Sequence, residues 1–315
     1  MQRLIFVPQY PAKMRYSEWW FSELPKHFSE YFDEVIVLGK DYFETEKARR
    51  GLAENFSPIH ANIKFECAQI SEYLDLELLD NDILFLADIS FPGVFSSVLY
   101  HRSCSKMFVF CHATSANSFD YYEKVRRSKF PVESSHAMLF NKVFIGSEYS
   151  AKKVGWKNVK VVTLPPPPIS IIHHTELLER RFNIVSVARP SVQKVTMKIE
   201  REVIKAYGHI ERQMFDSWFY YARFLSRSNI LLITTKEDTF NYTIMDAIRC
   251  GCIPLAPNKL CFPEILPQDY LYNDTQDLII KIGCILNGTR PVPKMLCEDK
   301  VNNFYKNVCE SMLSE

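Results

Sequence analysis

The stretch from Asn229 to Pro267, NILLITTKEDTFNYTIMDAIRCGCIPLAPNKLCFPEILP, contains the signals that decide the fold. Ile230 to Thr234 is an unbroken apolar and β-branched run, which is typical of a strand buried on both faces. After a polar loop, Tyr242 to Arg249 predicts a short helix that stops at Gly251, and Ile253 to Ala256 predicts another buried strand. A strand, a loop, a helix and a strand in this order indicate part of a parallel sheet.

The polar loop Lys236 to Asn241 follows the first of these strands, and Pro257 to Glu264 follows the second. Ligands of open parallel sheets bind at the carboxyl ends of strands, so both segments are expected to face one cleft. Asp238 in the loop and Asp246 in the helix are separated by seven residues. Each carboxylate accepts two hydroxyl hydrogen bonds, so the pair can hold opposite ends of a nucleotide sugar. Taken alone, the pair also fits a buried unit whose acids are solvated or cap a helix.

The whole stretch resembles the donor-binding segment of retaining GT-B glycosyltransferases of the glycogen synthase and mannosyltransferase type. These enzymes carry Glu, seven residues and Glu, where this sequence has Asp238 and Asp246. The resemblance implies that Asp238 holds hydroxyls of the transferred sugar and Asp246 holds the ribose. It also implies that backbone N–H groups around Phe240, Asn241 and Tyr242 lie near the sugar and phosphates. The family usually has Gly in place of Asn241, and because Asn tolerates left-handed backbone angles, we interpret this exchange as mild.

The last part of the stretch, Gly251 to Pro267, is also similar to the glycosyltransferases that mannosylate queuosine in transfer RNA. A fainter likeness to the same enzymes lies near His112. The likeness is confined to these two places, and both favour an enzyme that modifies a nucleobase.

Arg189 and Lys194 follow the strand predicted for Ile184 to Ala188, at a spacing of five. Arg binds phosphate oxygens bidentately and Lys acts as a movable point charge, so the two cations suit a diphosphate. A solvated basic loop is the alternative. In the resembling family, an Arg and a Lys at this place stabilise the leaving nucleoside diphosphate, which implies that it departs without a metal ion.

His112 ends the strand predicted for Met107 to Cys111, in the sequence FCHATSANS. A lone His is more often structural, but many GT-B relatives have a His here that contacts the donor sugar or the acceptor. We therefore predict a catalytic role for His112, assisted by Ser115 and Asn117. The full set of catalytic candidates is His112, Asp238, Arg189 and Lys194, and the donor-binding set is Arg189, Lys194, Asp238, Phe240, Asn241, Tyr242 and Asp246.

Two clusters of basic and aromatic residues are candidates for the acceptor side. The first is the loop before the first helix, which has no Gly where the family commonly has a Gly-rich turn; it contributes Lys13, Arg15 and Tyr16, followed by Trp19 and Trp20. The second follows two tyrosines and contributes Arg126 and Arg127. Interleaved cations and aromatic rings can hold a nucleic-acid backbone and stack a base. A solvated helix face above core tryptophans is the alternative for each cluster.

Composition limits the class of protein. The 315 residues are 47% hydrophobic and 24% charged, enough for two globular domains, and the net charge of +1 argues against a uniform polyanion-coating surface. Nine Cys without paired metal-ligand spacing indicate buried free thiols, and no apolar stretch of about 18 residues predicts a membrane span. We expect a cytoplasmic protein. Nine Gly against 23 Phe and 16 Tyr suggests an AT-rich coding bias such as that of a phage genome.

The order of elements predicts an α/β protein of GT-B architecture, with two Rossmann-like domains facing a cleft. Residues 1–165 form the acceptor-side domain, residues 166–300 a smaller nucleotide-sugar-binding domain, and residues 301–315 a helix that crosses back. Pro165 to Pro168 is stiff and extended, and we interpret it as the linker. The strands predicted in the first domain are Leu4–Val7, Glu34–Leu38, Ile63–Glu66, Ile83–Ala87, Met107–Cys111, Val143–Gly146 and Val159–Leu164.

These features predict a glycosyltransferase that moves a sugar from a nucleotide-sugar donor to a hydroxyl, with retention at the anomeric carbon and no metal requirement. The favoured acceptor is a hydroxymethylated base in phage DNA. The alternatives are transfer to a cell-surface polysaccharide or lipid, transfer to tRNA, and a non-catalytic module that binds nucleotide sugar or nucleic acid.

Asp80 and Asp82 form an Asp-x-Asp pattern, which holds a metal ion in the other large class of glycosyltransferases. In that class the motif follows a buried strand, whereas here it precedes one, so we assign these residues no metal. Donor identity and oligomeric state stay open.

Overall fold

A computed structural model describes residues 2–50, 59–89, 106–119, 123–168, 179–188, 191 and 193–315. Arg189, one of the predicted diphosphate ligands, lies outside the described residues, as do Tyr121 and Tyr122.

The first half of the described chain contains a parallel sheet covered by helices. Its strands are β1 Arg3–Val7, β2 Glu34–Val37, β3 Ile83–Leu86, β4 Lys106–Cys111, β5 Lys142–Ile145 and β6 Val159–Val161, and its helices are α1 Tyr16–Phe28, α2 Lys40–Arg50, α3 Ile59–Asp75, α4 Arg126–Ala137 and α5 Glu148–Val154. The strand order is β2-β1-β3-β4-β5-β6, with Ile5 paired to Ile36 and to Leu84. Strands such as ILFL are apolar throughout because helices cover both faces of the sheet.

The second half repeats this plan with a smaller sheet. Its strands are β7 Phe182–Ser186, β8 Glu211–Arg212, β9 Ser228–Leu232, β10 Ile253–Pro257 and β11 Leu271–Tyr272, and its helices are α6 Met197–Tyr207, α7 Trp218–Ser226, α8 Tyr242–Arg249 and α9 Thr275–Leu286. All described pairings are parallel, in the order β11-β10-β9-β7-β8. The first strand of each sheet therefore lies between the second and the third, which is where a doubly wound sheet opens a crevice for ligands.

The predicted helix Tyr242 to Arg249 is confirmed with those bounds. Gly251, two residues after its end, has a φ of 71°, a left-handed conformation that Gly adopts without steric cost. Side chains from α7, α8 and the second sheet join one apolar core with the face of the first sheet formed by Phe6, Phe85 and Phe144. The two halves therefore share a core beneath the crevice.

The strand predicted for Ile63 to Glu66 is wrong, because these residues lie within α3. Phe65, Gln69 and Tyr73 are buried while Ile63 is half exposed. Buried positions four residues apart follow the period of a helix and not the alternation of a strand. The alternation of apolar and charged residues from Ile63 to Glu66 imitates a strand and hid this longer pattern.

The chain ends in α10 Glu298–Asn302 and α11 Phe304–Ser314. The last helix packs on α1 of the first half: the rings of His27 and Tyr305 stack at 4.0 Å, and Trp20 and Phe304 are 6.3 Å apart. Lys160 in β6 donates to the backbone carbonyl of Asn307 at 3.3 Å. The end of the chain thus ties the second half to the first. Among the helices that the structure describes, none has the length and apolar content to cross a membrane.

Candidate functional site

The carboxyl edges of the two sheets face one cavity of about 410 Å³. The first half supplies its wall from the loop after β1 and the residues after β4, and the second half supplies the loop after β9 and the start of α8. Eleven of the residues singled out in the sequence line this cavity: Arg15, Tyr16, Trp19, His112, Asn117, Lys194, Asp238, Phe240, Asn241, Tyr242 and Asp246. Segments distant in sequence therefore meet at one site.

Asp238 lies at the centre of the wall formed by the second half, and its side chain is almost fully buried at 6% exposure. Its Oδ2 accepts hydrogen bonds from Lys194 Nζ at 2.9 Å and from Asn241 Nδ2 at 2.8 Å. Its Oδ1 accepts one from the backbone N–H of Thr239 at 3.1 Å. A carboxylate oxygen has two lone pairs, so Oδ1 can accept a further hydroxyl.

Asn241 does not adopt the left-handed conformation that we used to rationalise it. Its φ is −128° and its ψ is 99°, an extended backbone that any residue adopts. Left-handed tolerance therefore plays no part in the choice of Asn at this position. Phe240, its neighbour, is buried against Gly146, where an added Cβ atom would come within 3.3 Å of the Phe240 Cβ.

Asp246 lies on α8 and is 5% exposed. The hydroxyl of Tyr221 donates to its Oδ2 at 2.8 Å, while its Oδ1 is buried without a hydrogen-bond partner. Burial raises the pKa of this carboxyl to about 7, against the Tyr221 hydrogen bond and the charge of Arg249, which both lower it. Oδ1 is therefore a buried acceptor that a hydroxyl-bearing ligand would satisfy.

His112 directly follows β4 and lies among the rings of Tyr16, Trp20 and Phe110, with centroids 4.5 to 4.6 Å from its own. Its Nε2 is buried and has no hydrogen-bond partner, and the ring's other nitrogen faces the backbone of Ala87. Burial lowers the pKa of His112 to about 3. The imidazole is thus neutral at physiological pH, and Nε2 presents a lone pair and not a proton.

The loop before α1 faces the cavity through Arg15 and Tyr16. Tyr16 contacts His112 and stacks on Tyr242 at 5.8 Å, and the indole N–H of Trp20 donates to the Tyr242 hydroxyl at 2.8 Å. Met14, between Lys13 and Arg15, has a φ of 58°, which turns the chain sharply without a Gly. The loop is therefore joined to the second half by aromatic contacts.

Three of the predicted residues are not among the described lining residues. Lys13 is half-buried beside the cavity wall, while Arg126 and Arg127 are exposed on the first turn of α4. Their assignment to the acceptor stays a prediction, and so does the assignment of Arg189 to the diphosphate. The segment Pro257 to Glu264 was expected to face the cleft with the Asp238 loop, yet none of it lines the cavity.

Glu264 instead joins the two halves of the chain. Its carboxylate accepts from the backbone N–H groups of Glu148 at 2.7 Å and Tyr149 at 2.8 Å, at the start of α5. The first N–H groups of a helix lack intrahelical partners and favour a negative charge, so Glu264 caps α5 from the opposite sheet. Ser147 adds a hydrogen bond of 2.6 Å to the backbone carbonyl of Thr239.

Glu237 was missed in the sequence. It is 3% exposed, and three side chains of the first half donate to its carboxylate: Asn117 at 3.2 Å, Tyr149 at 3.1 Å and Lys153 at 2.5 Å. These partners lie 84 to 120 residues away, so no local pattern marks the cluster. Asn117, which we expected to assist His112, belongs to this cluster and links the His112 loop to the Asp238 loop.

No group of three or more His, Cys, Asp or Glu side chains is placed to hold a metal ion in the part of the chain that the structure covers. Asp82, from the Asp-x-Asp pattern, forms a salt bridge with Arg3 at 2.6 Å on the amino side of the first sheet. That edge of the sheet is opposite the cavity.

Two parallel α/β sheets whose carboxyl edges enclose one cavity define the GT-B fold, and comparison with solved structures supports this class. The chain is similar to an α,α-trehalose-phosphate synthase (UDP-forming) from Burkholderia vietnamiensis, with a TM-score of 0.65 at 10% identity, over 100% of this chain and 99% of that one. It is also similar to a TarM mutant of S. aureus whose structure contains UDP, with a TM-score of 0.52 at 15% identity. That match covers 80% of this chain and 57% of TarM. The GT-B resemblance stated from the sequence is confirmed.

In sequence, the chain is 32% identical over 114 residues to the tRNA-queuosine alpha-mannosyltransferase of Drosophila melanogaster. The match covers 34% of this chain and 29% of that protein, so the chain spans less than a third of the curated relative that it matches. No protein-family model matches the sequence.

Proposed function

We propose that this chain is a glycosyltransferase that moves a sugar from a nucleotide-sugar donor to a hydroxyl group. The observation that carries the proposal is the meeting of Asp238, Lys194 and Asp246 with His112 in one cavity between two sheets. Both walls offer an acceptor to a polyhydroxylated ligand, because His112 Nε2 and Asp246 Oδ1 are buried without hydrogen-bond partners. A buried acceptor without a donor is costly, so a ligand that supplies hydroxyls is favoured here.

The nucleotide would lie against the second half. Asp246 Oδ1 would accept from a ribose hydroxyl while Tyr221 holds the other oxygen. The diphosphate would be neutralised by Lys194, whose ammonium already lies in the cavity wall, together with Arg189. The start of α8, with the backbone N–H groups of Asn241 and Tyr242, favours negative charge at the same place.

The transferred sugar would lie between the two walls. Asp238 Oδ1 would accept from one hydroxyl, and the neutral His112 would accept from another through Nε2. The Glu237 carboxylate is not a candidate nucleophile because Lys153, Tyr149 and Asn117 already bind it. From the resemblance to retaining GT-B enzymes we infer transfer with retention, in which the bond from the anomeric carbon to the diphosphate breaks as the bond to the acceptor oxygen forms. The leaving diphosphate, whose charge Lys194 and Arg189 would stabilise, would help to take the acceptor's proton.

We propose a hydroxymethylated base in DNA as the acceptor. Support comes from the aromatic and basic loop that lines the cavity with Arg15 and Tyr16, and from exposed Arg126 and Arg127 on α4. Aromatic side chains stack bases and Arg holds phosphates. Queuosine in tRNA is a second candidate, favoured by the similarity to the Drosophila enzyme.

The test is incubation of the protein with radiolabelled nucleotide sugars and three acceptors: duplex DNA with 5-hydroxymethylpyrimidine, the same DNA unmodified, and tRNA that contains queuosine. Label on the hydroxymethylated DNA alone supports the first acceptor, and label on the tRNA alone replaces it with the second. Donor hydrolysis without transfer would keep the glycosyltransferase and direct the search to glycans and lipids. A chain that binds nucleotide sugar without any turnover would be a binding module.

A further inference from the structure

Asn241 occupies the N-cap position of α8 but does not cap the helix. An N-cap Asn ordinarily accepts a hydrogen bond from the second or third backbone N–H of its helix. Here no such bond forms, and the backbone is extended. Neither the capping role nor a special backbone conformation explains Asn at this position, so its side chain has another partner.

That partner is the carboxylate of Asp238. The Nδ2 group of Asn241 donates to Asp238 Oδ2 at 2.8 Å. The orientation of the amide is fixed from the other side, because its Oδ1 accepts a hydrogen bond from the hydroxyl of Thr243. Thr243, Asn241 and Asp238 therefore form a chain of hydrogen bonds along the cavity wall.

Lys194 is the second donor to the same carboxylate oxygen, at 2.9 Å, and it differs from Asn241 in one respect. Lys is a mobile point charge, and an arriving diphosphate competes with Asp238 for it. The amide of Asn241 is neutral and is held by Thr243. When Lys194 turns toward the diphosphate, Asn241 keeps its hydrogen bond and Asp238 keeps its orientation.

We propose that Asn241 is a positioning residue that fixes the carboxylate of Asp238, so that Oδ1 points to a hydroxyl of the donor sugar after Lys194 has moved to the diphosphate. This inference rests on the proposed function. It assigns the sugar hydroxyl to Oδ1, because Oδ2 already accepts from two donors and Oδ1 accepts only from Thr239 among the described contacts.

Two variants test the assignment. Asn241→Ala removes the amide donor, and Asn241→Asp keeps its size but faces Asp238 with a second carboxylate. The matched control is Asn303→Ala, because Asn303 is also an N-cap Asn that does not cap its helix and is exposed at the start of α11. The probes are UDP-glucose and GDP-mannose with UDP and GDP alone, and both binding and donor turnover are measured.

We expect Asn241→Ala to bind the nucleoside diphosphate as the wild type does and to lose about 10- to 100-fold in turnover, since small misplacements of a positioning group have effects of this size. The extra affinity that the sugar moiety gives should fall in parallel. Asn241→Asp should lose more than Asn241→Ala, because a second carboxylate repels that of Asp238 and removes the amide donor. Asn303→Ala should match the wild type.

The outcomes separate the two claims. A wild type that binds and turns over the donor, with Asn241→Ala unchanged in both the affinity ratio and turnover, would overturn this inference alone. A loss of diphosphate affinity equal to the loss of sugar-dependent affinity would also overturn it, because Asn241 would then act on the whole donor. A wild type that binds none of the four probes would overturn the proposed function and this inference with it.

Discussion

The two walls of the cavity are built on sheets with the same strand order, but one wall is neutral and aromatic and the other contains paired charges. The wall of the first half is an aromatic box in which Tyr16, Trp20 and Phe110 surround His112 and keep it neutral. The wall of the second half contains charges that are paired, such as Lys194 with Asp238. Burial lowers the pKa of His112 and raises that of Asp246, so both groups shift toward their uncharged forms.

We propose that the difference gives the two walls separate tasks. A neutral aromatic wall suits the uncharged sugar and a base that stacks, whereas paired charges that can exchange partners suit a diphosphate. Of the buried side-chain atoms without partners in the described residues, one lies on each wall, His112 Nε2 and Asp246 Oδ1, and the third is Arg227 Nε away from the cavity. The cavity is therefore expected to bind one ligand that reaches both walls.

The largest effect is expected for Asp238→Ala, which removes the proposed sugar contact of the charged wall. Turnover should fall by about 10³-fold or more, roughly 4 kcal/mol of transition-state stabilisation, while nucleoside diphosphate still binds. The measurement is donor turnover beside nucleoside diphosphate affinity by calorimetry. Equal losses in both would show that Asp238 serves the nucleotide and not the sugar.

Breaking the contact between the walls should have the next largest effect. Glu237→Gln leaves Lys153 without its buried counter-charge, at an expected cost of about 2–3 kcal/mol in the free energy of unfolding. It should also loosen the two halves, which small-angle scattering would detect as a larger radius of gyration. Glu200→Gln is the control, because Glu200 pairs with Arg212 within the second half and its loss should destabilise the fold without opening the cavity. An unchanged radius of gyration for Glu237→Gln would contradict the claim that Glu237 holds the two walls together.

Asp246 makes the charged wall dependent on pH. Its pKa is near 7 in the folded state against 3.8 ordinarily, so the folded protein binds the proton more tightly and this group's contribution to stability declines as pH rises from about 4 through 7. Asp246→Asn should flatten that decline by removing the titrating group, as thermal unfolding between pH 5.5 and 8 would show. Ribose hydroxyls favour the charged form, so nucleotide binding near pH 7 should release protons in the wild type. The measurement is calorimetry in two buffers of different ionisation enthalpy. The absence of proton release would contradict the assignment of Asp246 to the ribose.

The smallest effect is expected on the aromatic wall. His112→Phe keeps the ring in its box and removes the Nε2 acceptor, so donor turnover should fall by about 10-fold with nucleoside diphosphate affinity unchanged. Because the pKa of His112 is already about 3, the pH dependence of turnover between 5 and 8 should be the same before and after the substitution. The control is His209→Gln, whose imidazole is exposed beside Glu211. A pH limb near 6.5 that disappears in His112→Phe would show that the imidazole titrates.

The sequence was informative where one local pattern determined the outcome. The helix Tyr242 to Arg249 and the flanking strands were predicted because apolar runs and Gly251 mark them. Asp238, Asp246 and His112 were singled out because each follows a strand or lies one or two turns beyond it, where parallel sheets bind ligands, and all three line the cavity. These signals are contained within a few residues.

Residues whose roles depend on distant partners could not be found in this way. In the sequence, Glu237 is one of several charged residues in a polar loop. Only the structure shows that Asn117, Tyr149 and Lys153 all donate to its carboxylate. Asn241 was interpreted through its backbone, and its side-chain contact with Asp238 became visible only in the structure. The buried face of α3 was hidden for a different reason, because four residues that alternate between apolar and charged, Ile63 to Glu66, fit the period of a strand although they lie in a longer helix.

The most direct test of the central claim, that one nucleotide sugar contacts both walls, is the ¹⁵N NMR signal of His112 Nε2, assigned with the His112→Phe variant. Nucleoside diphosphate alone should bind the charged wall and leave this signal unchanged, whereas the matching nucleotide sugar should shift it as a sugar hydroxyl donates to Nε2. A nucleotide sugar that binds with the affinity of its nucleoside diphosphate and leaves the His112 signal in place would contradict the account.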